Sequence, residues 1–341
     1  MIDLRNLTCE EMEELAVSAG QKAFRGRQLF AWVQKGICDF REMTNLPGVF
    51  LRFLEENCRL DSLRLLRRQI SAKDGTQKFL SEVPGGDAVE TVFMRYHYGN
   101  SVCVSSQAGC RMGCAFCASG INGLSRDLAA GEILSQLMNA ERETGEAVGH
   151  LVLMGTGEPF DNYEEVAKAL TILHDPRGRG MSWRNITVST CGLVPGIQRF
   201  AEEFPQVNLA VSLHAPDDEV RRKIMPVSRS YPYEELLAAC RAYTDATHRR
   251  ITFEYALIRD VNDRAEHAEK LARRLSGMLA HVNLIPLNAV RETGLKTSAA
   301  EGTAEFRKIL ERAGIPVTVR RQLGADIDGA CGQLRLTNTK Y

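Results

Sequence analysis

Three cysteines within eight residues constrain this chain more than any other feature of its sequence. Cys110, Cys114 and Cys117 are spaced Cys-x-x-x-Cys-x-x-Cys. Thiolates at such spacing ligate iron–sulfur clusters, and a cubane 4Fe–4S cluster has four iron corners to fill. Three protein ligands leave one iron open, and the amine and carboxylate of S-adenosylmethionine could chelate it. One electron passed to the sulfonium would then release a 5′-deoxyadenosyl radical.

A zinc site, a disulfide framework or chance could also account for the clustered cysteines. A structural zinc site usually has four ligands in two separated pairs, and no second pair lies close by in the sequence. A disulfide framework is not expected in a chain of 341 residues without a signal peptide. The spacing could also arise by chance, because the chain has 10 cysteines. Gly109 and Gly113 favour the cluster, since glycine lets the backbone approach a bulky ligand.

The composition is that of a globular protein and narrows the possible partners and locations. Hydrophobic residues make up 44% and charged residues 25%, with a formal net charge of zero, so a nucleic acid would have to bind a local basic patch. No segment approaches the ~18 apolar residues that span a bilayer. Residues 1–5 begin no secretion signal, so we expect a cytoplasmic, reducing location and no membrane partner.

Changes in local pattern divide the chain into three expected parts. Residues 1–60 are expected to form a small helical domain, whose first helix begins with a capping box formed by Thr8 and Glu11. Residues 61–100 alternate short strands with glycine-containing turns, which predicts an antiparallel β linker. Residues 101–341 alternate strands with helices, which predicts parallel strands with crossover helices. The expected fold class is therefore α/β, with a partial TIM-like (β/α)6 barrel.

The barrel elements follow from the apolar periodicity of residues 101–341. Strands are predicted at 102–105, 150–154, 186–189, 207–213, 251–257, 282–285 and 317–320. Helices are predicted at 129–142, 162–173, 193–204, 233–246, 264–275 and 300–312. Asp161, with Glu164 three residues on, is expected to cap the second of these helices. In barrels of this kind the chemistry gathers at the carboxyl ends of the strands.

Several of these strands end in short polar or glycine-rich segments. Segment 154–159 reads MGTGEP, in which Glu158 could accept hydrogen bonds from an ammonium group. Ser189, Ser212, His214 and Asn288 also fall at strand ends, where they could contact ribose, carboxylate or adenine. Taken singly, each could be an ordinary strand terminus, and His214 could be a capping or core histidine.

Two further cysteines, Cys103 and Cys331, lie near the expected site. They could act as a methyl carrier and a resolving thiol, because a disulfide forms when one sulfur attacks another. They could equally be small buried hydrophobic residues, which spacing alone favours. The remaining cysteines are expected to be structural; they are Cys9, Cys38, Cys58, Cys191 and Cys240.

Motifs along nearly the whole chain resemble the RlmN/Cfr family of radical S-adenosylmethionine RNA methyltransferases. The matching segments are 103–117, 154–159, 186–190, 212–216, 284–288 and 326–334. Segment 24–32 resembles the family's accessory RNA-binding domain. The resemblance implies a radical S-adenosylmethionine barrel with a 4Fe–4S cluster on Cys110, Cys114 and Cys117. It also implies S-adenosylmethionine contacts at Gly157, Glu158, Ser189, Ser212, Leu213, His214 and Asn288.

The same resemblance implies a reaction in two stages. One S-adenosylmethionine would methylate Cys331, and the radical from a second would remove a hydrogen from that methyl group. The resulting carbon radical would add to an adenine carbon, which is not nucleophilic. Glu90 matches the family's proton acceptor, and Cys103 would free the product by forming a disulfide with Cys331.

The family has two branches, which differ in the carbon they methylate. One branch methylates carbon 2 of an adenine in 23S rRNA and of the adenine 3′ of the anticodon in tRNA, whereas the other methylates carbon 8 of the same rRNA adenine. Segments 157–159 and 326–328 favour the carbon-2 branch, although 117–123 and Cys191 depart from the commonest family pattern.

Two rival functions, from other classes, are a non-catalytic iron–sulfur RNA-binding protein and a radical enzyme that acts on a small molecule. For the favoured function we expect an electron donor such as flavodoxin and a monomeric enzyme.

Overall fold

A computed structural model describes residues 1–60, 63–334 and 337–338 of the chain. Residues 61–62, which begin the expected β linker, lie outside the described residues. Residues 335–336 and 339–341 of the expected barrel part lie outside them as well.

The first 59 residues contain three α-helices, two short 3-10 helices and two short strands that pair in parallel. The strands and α-helices are β1 (Ile2–Asp3), α1 (Cys9–Ser18), α2 (Phe24–Gln34), α3 (Gly48–Asn57) and β2 (Cys58–Arg59). The capping box is present, because Thr8 Oγ1 accepts from the Glu11 amide and Glu11 Oε2 accepts from the Thr8 amide at 2.7 Å. Gly26 lets α2 lie against α1, since a Cβ there would be 2.3 Å from the Met12 carbonyl oxygen.

Four antiparallel strands follow and then merge into the barrel sheet. They are β3 (Arg64–Ile70), β4 (Gln77–Glu82), β5 (Asp87–Tyr96) and β6 (Gly99–Val104). A separate two-stranded sheet comes next, formed by β7 (Gln107–Gly109) and β8 (Leu124–Asp127). The segment between β7 and β8 contains the three clustered cysteines.

The rest of the main sheet is parallel. Its strands are β9 (His150–Leu153), β10 (Ile186–Thr190), β11 (Asn208–Ser212), β12 (Ile251–Leu257), β13 (Ala280–Pro286) and β14 (Val317–Val319). The strand order is β14-β13-β12-β11-β10-β9-β6-β5-β4-β3, and every neighbouring pair from β14 to β6 is parallel. Strand β15 (Thr337–Asn338) pairs antiparallel with β5. The expected α/β fold class, with parallel strands and crossover helices, is confirmed.

Seven α-helices accompany these strands in the described part of the chain, together with short 3-10 helices. The α-helices are α4 (Ala130–Thr144), α5 (Tyr163–His174), α6 (Val194–Glu203), α7 (Asp218–Ile224), α8 (Tyr233–Thr247), α9 (Ala265–Leu275) and α10 (Ala300–Arg312). Helix α7 was not predicted, because seven mostly charged residues carry little periodic signal. The predicted cap at Asp161 is wrong. Asn162 is the N-cap and has no capping side-chain bond, and Asp161 instead pairs with Arg111 at 2.8 Å.

One hydrophobic core joins the amino-terminal helices to the barrel. It includes Phe30 and Phe50 from the helices together with Leu134 and Phe253 from the barrel. Arg5 is buried at this junction, where its Nη1 donates to Ser135 Oγ on α4 at 3.0 Å. Over the residues that the structure describes, no helix has the length and apolar character required to cross a bilayer.

Candidate active site

A cavity at the carboxyl ends of the parallel strands, here called the upper cavity, brings most of the expected site residues together. Its lining includes Cys110, Cys114, Cys117, Gly157, Glu158, Ser189, Ser212, His214, Asn288 and Cys331. The polar strand ends therefore do share one rim. Leu213 is not part of the lining, because its side chain is buried in the core, and its amide donates to the Glu254 carbonyl at 3.1 Å.

The loop that carries the three cysteines is closed at its base by a tight backbone approach. Gly109 has a φ of 82°, and a Cβ at this position would lie 2.0 Å from the Gly123 carbonyl oxygen. That same oxygen accepts a hydrogen bond from the Cys110 amide at 2.9 Å. The amide of Ala118 donates to the Gly332 carbonyl at 2.8 Å, so the loop is also tied to the carboxyl-terminal segment beside Cys331.

The thiols of this loop are suited to iron rather than to free ionisation. Burial raises the pKa of Cys110 to about 12 and also raises the pKa of Cys114 and Cys117. Without a ligand these groups stay protonated, whereas a coordinated thiol is deprotonated. No group of three or more His, Cys, Asp or Glu side chains among the described residues is arranged to hold a metal ion. In a cubane cluster each thiolate binds a different iron, so the three thiols need not converge on a single ion. The three cysteines therefore fit a cluster rather than one metal ion.

Glu158 is a buried carboxylate that lacks a cation. It is 3% exposed, and it accepts hydrogen bonds from the amides of Cys191 at 2.7 Å and Phe160 at 3.0 Å. Burial raises its pKa, although these hydrogen bonds oppose the shift. No lysine or arginine of the described residues forms an ion pair with it. An ammonium group of a ligand would supply the missing positive charge.

His214 offers one N–H to the upper cavity and stays neutral. Its Nδ1 accepts from the Ala256 amide at 2.8 Å, which places the ring proton on Nε2. Burial, and then the charge of Arg221, lowers its pKa to about 3. The ring lies edge-on to Phe116 of the cysteine loop, with centroids 4.7 Å apart. Its φ of 54° is unusual for a residue with a side chain, and such strain often persists at functional sites.

Asn288 links the upper cavity to the backbone of Cys331. Its Nδ2 donates to the Cys331 carbonyl at 2.9 Å, whereas its Oδ1 is buried without a hydrogen-bond donor. A buried amide oxygen without a partner costs about 1–3 kcal/mol. A ligand donor, such as the amino group of adenine, would remove that cost. The unpaired oxygen, the carboxylate of Glu158 and the three cysteines together fit S-adenosylmethionine on a cluster.

A second, smaller cavity, here called the thiol cavity, lies beside the first. Cys103, Cys331, Asn288 and Arg320 line it, and the last three of these also border the upper cavity. Arg320 Nη1 lies 3.5 Å from Cys331 Sγ. Burial, with a smaller effect of negative charge on Cys331, raises the pKa of Cys103 to about 12, and Arg320 opposes that shift. Cys103 is therefore a neutral thiol in the resting site.

Glu90 lines neither cavity and forms a buried ion pair. Its Oε1 lies 2.8 Å from Lys78 Nζ, and both side chains are less than a tenth exposed. Lys78 Nζ also donates to the Asp328 carbonyl at 3.1 Å. Lys78 therefore connects Glu90 to the segment that precedes Cys331.

Sequence reasoning missed several residues of the site. Arg320 is the last residue of the strand predicted at 317–320, and the carboxyl ends of such strands form the site. A charged residue at this position was therefore a signal by which the sequence could have identified Arg320 as a site residue. Arg221 is fully buried and donates to the Cys191 carbonyl at 2.6 Å and the Ser212 carbonyl at 3.3 Å, which joins the ends of β10 and β11. Cys191, expected to be structural, lines the upper cavity. Of the other cysteines in that group, Cys9, Cys58 and Cys240 are buried and Cys38 is exposed.

Comparisons with known proteins agree along almost the whole chain. The family model of the Radical SAM superfamily matches residues 104–274, and that of the ribosomal RNA large subunit methyltransferase N-terminal domain matches residues 2–59. A protein of Thermoanaerobacter sp. (strain X514), named "Probable dual-specificity RNA methyltransferase RlmN", is 48% identical over 336 residues, covering 98% of both chains. A protein of the same name from Pelotomaculum thermopropionicum is 52% identical, covering 98% of this chain and 91% of the relative.

A solved structure supports the same assignment. The crystal structure of a radical SAM methyltransferase from Sphaerobacter thermophilus superimposes with a TM-score of 0.94 at 45% identity, covering 98% of this chain and 99% of that one. The chain therefore belongs to the RlmN family of radical S-adenosylmethionine RNA methyltransferases, enzymes that use a 4Fe–4S cluster and S-adenosylmethionine.

Proposed function

We propose that this enzyme methylates carbon 2 of an adenine in 23S rRNA and of the adenine 3′ of the anticodon in tRNA, with Cys331 as the methyl carrier. Relatives named dual-specificity RNA methyltransferases support two RNA substrates. The observation that carries the proposal is the position of Cys331. It borders the upper cavity, with the three clustered cysteines, and the thiol cavity, with Cys103.

In this proposal the upper cavity holds the cofactors. Cys110, Cys114 and Cys117 would ligate the cluster, which with S-adenosylmethionine supplies a carbon radical when bound. Glu158 would accept from the ammonium group, and the Nε2–H of His214 would donate to an acceptor on the ligand. The remaining expected contacts are Gly157, Ser189, Ser212, Leu213 and Asn288. The side chain of Leu213 is buried and its amide already donates to the Glu254 carbonyl, so such a contact could use only its carbonyl oxygen, which can accept a second hydrogen bond beside the one from Arg221.

Cys331 would act first as a nucleophile. Once its thiol proton had been released to solvent, a lone pair of its sulfur would bond to the methyl carbon that S-adenosylmethionine supplies, and the sulfonium–methyl bond would break with its electron pair left on the neutral thioether. Asn288 holds the Cys331 carbonyl, and Arg320 lies against the sulfur at 3.5 Å. The first contact fixes the backbone of Cys331 and the second holds its side chain, so together they orient the attacking sulfur.

Cys103 and Glu90 would act during product release. The sulfur of Cys103 would attack the Cys331 sulfur, so that the disulfide forms as the bond between the Cys331 sulfur and the transferred carbon breaks, and the electron pair of that bond stays with the carbon now attached to the base. The raised pKa of Cys103 means that its proton must be removed as the attack proceeds. Glu90 would accept a proton from the base, and its contact with Lys78 keeps a charged partner beside it. A reductant would then restore the two thiols.

Other parts of the proposal concern partners and location. The electron donor would be a small redox protein such as flavodoxin, and the enzyme would act as a monomer in the cytoplasm. The helical part at residues 1–60, with exposed Arg27 on α2 and exposed Lys35 directly after this helix, would help to bind RNA through its phosphates.

The test compares Cys331→Ala with the wild-type enzyme after anaerobic reconstitution. Methyl incorporation into 23S rRNA and tRNA should be abolished, while the visible absorption of the cluster should stay unchanged. Cys240→Ala, which changes a buried cysteine away from both cavities, is the matched control and should retain incorporation. Mass spectrometry of digested RNA identifies the methylated carbon, and a carbon-8 product would contradict the carbon-2 assignment. Incorporation by Cys331→Ala would contradict the carrier role.

A further inference from the structure

A third cavity, here called the lower cavity, occupies the amino-terminal half of the barrel lumen. Its volume is about 740 Å³, and its wall includes Thr187, Asn208 and Thr252 from the amino ends of β10, β11 and β12. The interior of a complete barrel of this type is filled by packed side chains. Here the partial barrel leaves an open space, whose lining shares Met154, Glu254 and Arg320 with the upper cavity.

The lower cavity is continuous with the thiol cavity. Met94, Tyr96, Met154 and Arg320 line both of them. Arg320 therefore stands at the boundary, with Cys331 on one side and the open lumen on the other. A polymer that delivers one base to Cys331 has a connected space in which its next unit can lie.

The charged groups on the wall of the lower cavity are mostly basic. Arg249 and Arg250 line its outer end and Arg320 its inner end, whereas the acidic group in the lining is Glu254. Arg249 Nη2 is held against the wall by Asn208 Oδ1 at 2.7 Å. Burial raises the pKa of Glu254, which favours its neutral form. This lining suits a phosphate group better than a cation.

The mouth of the lower cavity carries a stacked aromatic pair, in which Tyr98 is exposed and Tyr96 is partly buried. Tyr96 and Tyr98 stack with centroids 4.9 Å apart and planes 7° apart, and Tyr98 is 57% exposed. His150 packs edge-on against Tyr98 at 5.3 Å, which fixes the orientation of the tyrosine ring. A fixed, exposed ring beside basic residues is the arrangement on which unpaired nucleobases stack.

We propose that the lower cavity binds an unpaired nucleotide adjacent to the target adenine, with its base on Tyr98 and its phosphate near Arg249 and Arg250. The assignment rests on the proposed function, since it requires an RNA strand that places another base at Cys331. It accounts for how a strand is held when the target base leaves its stack, since the neighbouring base gains a new stacking surface.

The test measures equilibrium binding of a short single-stranded RNA that contains the target adenine. The cluster-loaded enzyme is titrated by fluorescence anisotropy as wild type, Tyr98→Ala and Tyr98→Phe. Tyr98→Ala should weaken binding about tenfold, equivalent to about 1.4 kcal/mol. Tyr98→Phe keeps the ring and should bind within about twofold of wild type.

A second RNA, with an abasic site beside the adenine, completes a double-mutant cycle. Tyr98→Ala should cause no further loss with this RNA, because the stacking partner is already absent. Equal binding by Tyr98→Ala and wild type, or an equal loss with both RNAs, would overturn the assignment. The phosphate contact is tested by the slope of the logarithm of the binding constant against the logarithm of the salt concentration. Arg250→Gln should reduce this slope by about one, while the control Lys308→Gln on α10 should leave it unchanged. An unchanged slope in Arg250→Gln would contradict the phosphate contact.

Failure of the proposed function gives a different result. If the wild-type enzyme transfers no methyl group to 23S rRNA or tRNA, the proposed function fails whatever the binding data. If it transfers methyl groups normally but Tyr98→Ala binds both RNAs as wild type does, only the lower-cavity assignment fails.

Discussion

Replacing Gly109 by alanine should prevent the cysteine loop from closing around its cluster. The glycine has a φ of 82°, and a left-handed conformation costs a residue with a side chain roughly 1–2 kcal/mol. Its Cβ would also lie 2.0 Å from the Gly123 carbonyl oxygen. Relieving that overlap requires movement of the backbone, which typically costs about 1–3 kcal/mol. Together these two effects should destabilise the closed conformation of the loop, which positions Cys110, by about 2–5 kcal/mol.

Gly123→Ala is the matched control, because it changes the other side of the same contact. Gly123 also has a positive φ, 67°, but a Cβ there meets nothing within 4 Å. It therefore carries only the conformational cost. The difference between the two variants isolates the effect of the close approach.

The assay is iron content per chain and visible absorption after anaerobic reconstitution, together with denaturant unfolding of the metal-free chains. Gly109→Ala should lose most of its iron, whereas Gly123→Ala should retain most of it. Iron binding by Gly109→Ala at the wild-type level would refute the role assigned to Gly109 in closing the loop. Equal losses in the two variants would show that φ alone, and not the close approach, is responsible.

Three further predictions concern stability, each measured by denaturant unfolding. His214 has a pKa of about 3 when folded and about 6.5 when unfolded, so the unfolded chain binds the proton first as the pH falls. Relative to His214→Gln, the wild type should therefore lose roughly 2 kcal/mol of stability between pH 7 and pH 5; an equal change in the two proteins would contradict this prediction. Lys78→Met removes the cation that pairs with buried Glu90 and should lower the free energy of unfolding by about 3 kcal/mol. Adding Glu90→Leu to this variant should restore part of that loss, and additive losses in the double variant would argue against the pairing. Gly26→Ala should destabilise the chain by about 2 kcal/mol, because the new Cβ would overlap the backbone of α1. The control Gly48→Ala should be neutral or stabilising, because a Cβ at the start of α3 meets open space. Equal effects would contradict close packing of α1 and α2.

The order of strands and helices could be predicted because it depends on local apolar patterns. Each predicted parallel strand is present, and its bounds differ from the prediction by no more than a few residues. Helix α7 was missed because a helix of seven residues is too short for periodicity to identify. The cap assigned to Asp161 was wrong because Gln107 and Arg111, distant in the chain, compete for that carboxylate.

The site was only partly predictable for a similar reason. Glu158, Ser212 and Asn288 could be placed on one rim, since the ends of parallel strands meet there. The carrier and release roles of Cys331 and Cys103 came from family resemblance, because spacing alone favoured buried hydrophobic residues.

The contacts that refine these roles join distant parts of the chain. Lys78 reaches both Glu90 and the Asp328 carbonyl, and Arg320 touches Cys331 across a loop. Such contacts depend on tertiary packing, which no local pattern encodes. The lower cavity likewise depends on how far the barrel closes, and strand propensities do not specify that.

The central claim, that Cys331 carries the methyl group to RNA, is tested most directly by following one labelled methyl group. Cys331 is first methylated with isotopically labelled S-adenosylmethionine in the absence of RNA, and the unbound reagent is removed. RNA, reductant and unlabelled S-adenosylmethionine are then added for a single turnover, and mass spectrometry locates the label. We predict that the label leaves Cys331 and appears on carbon 2 of the target adenine. An adenine that gains an unlabelled methyl group while Cys331 keeps its label would contradict the account.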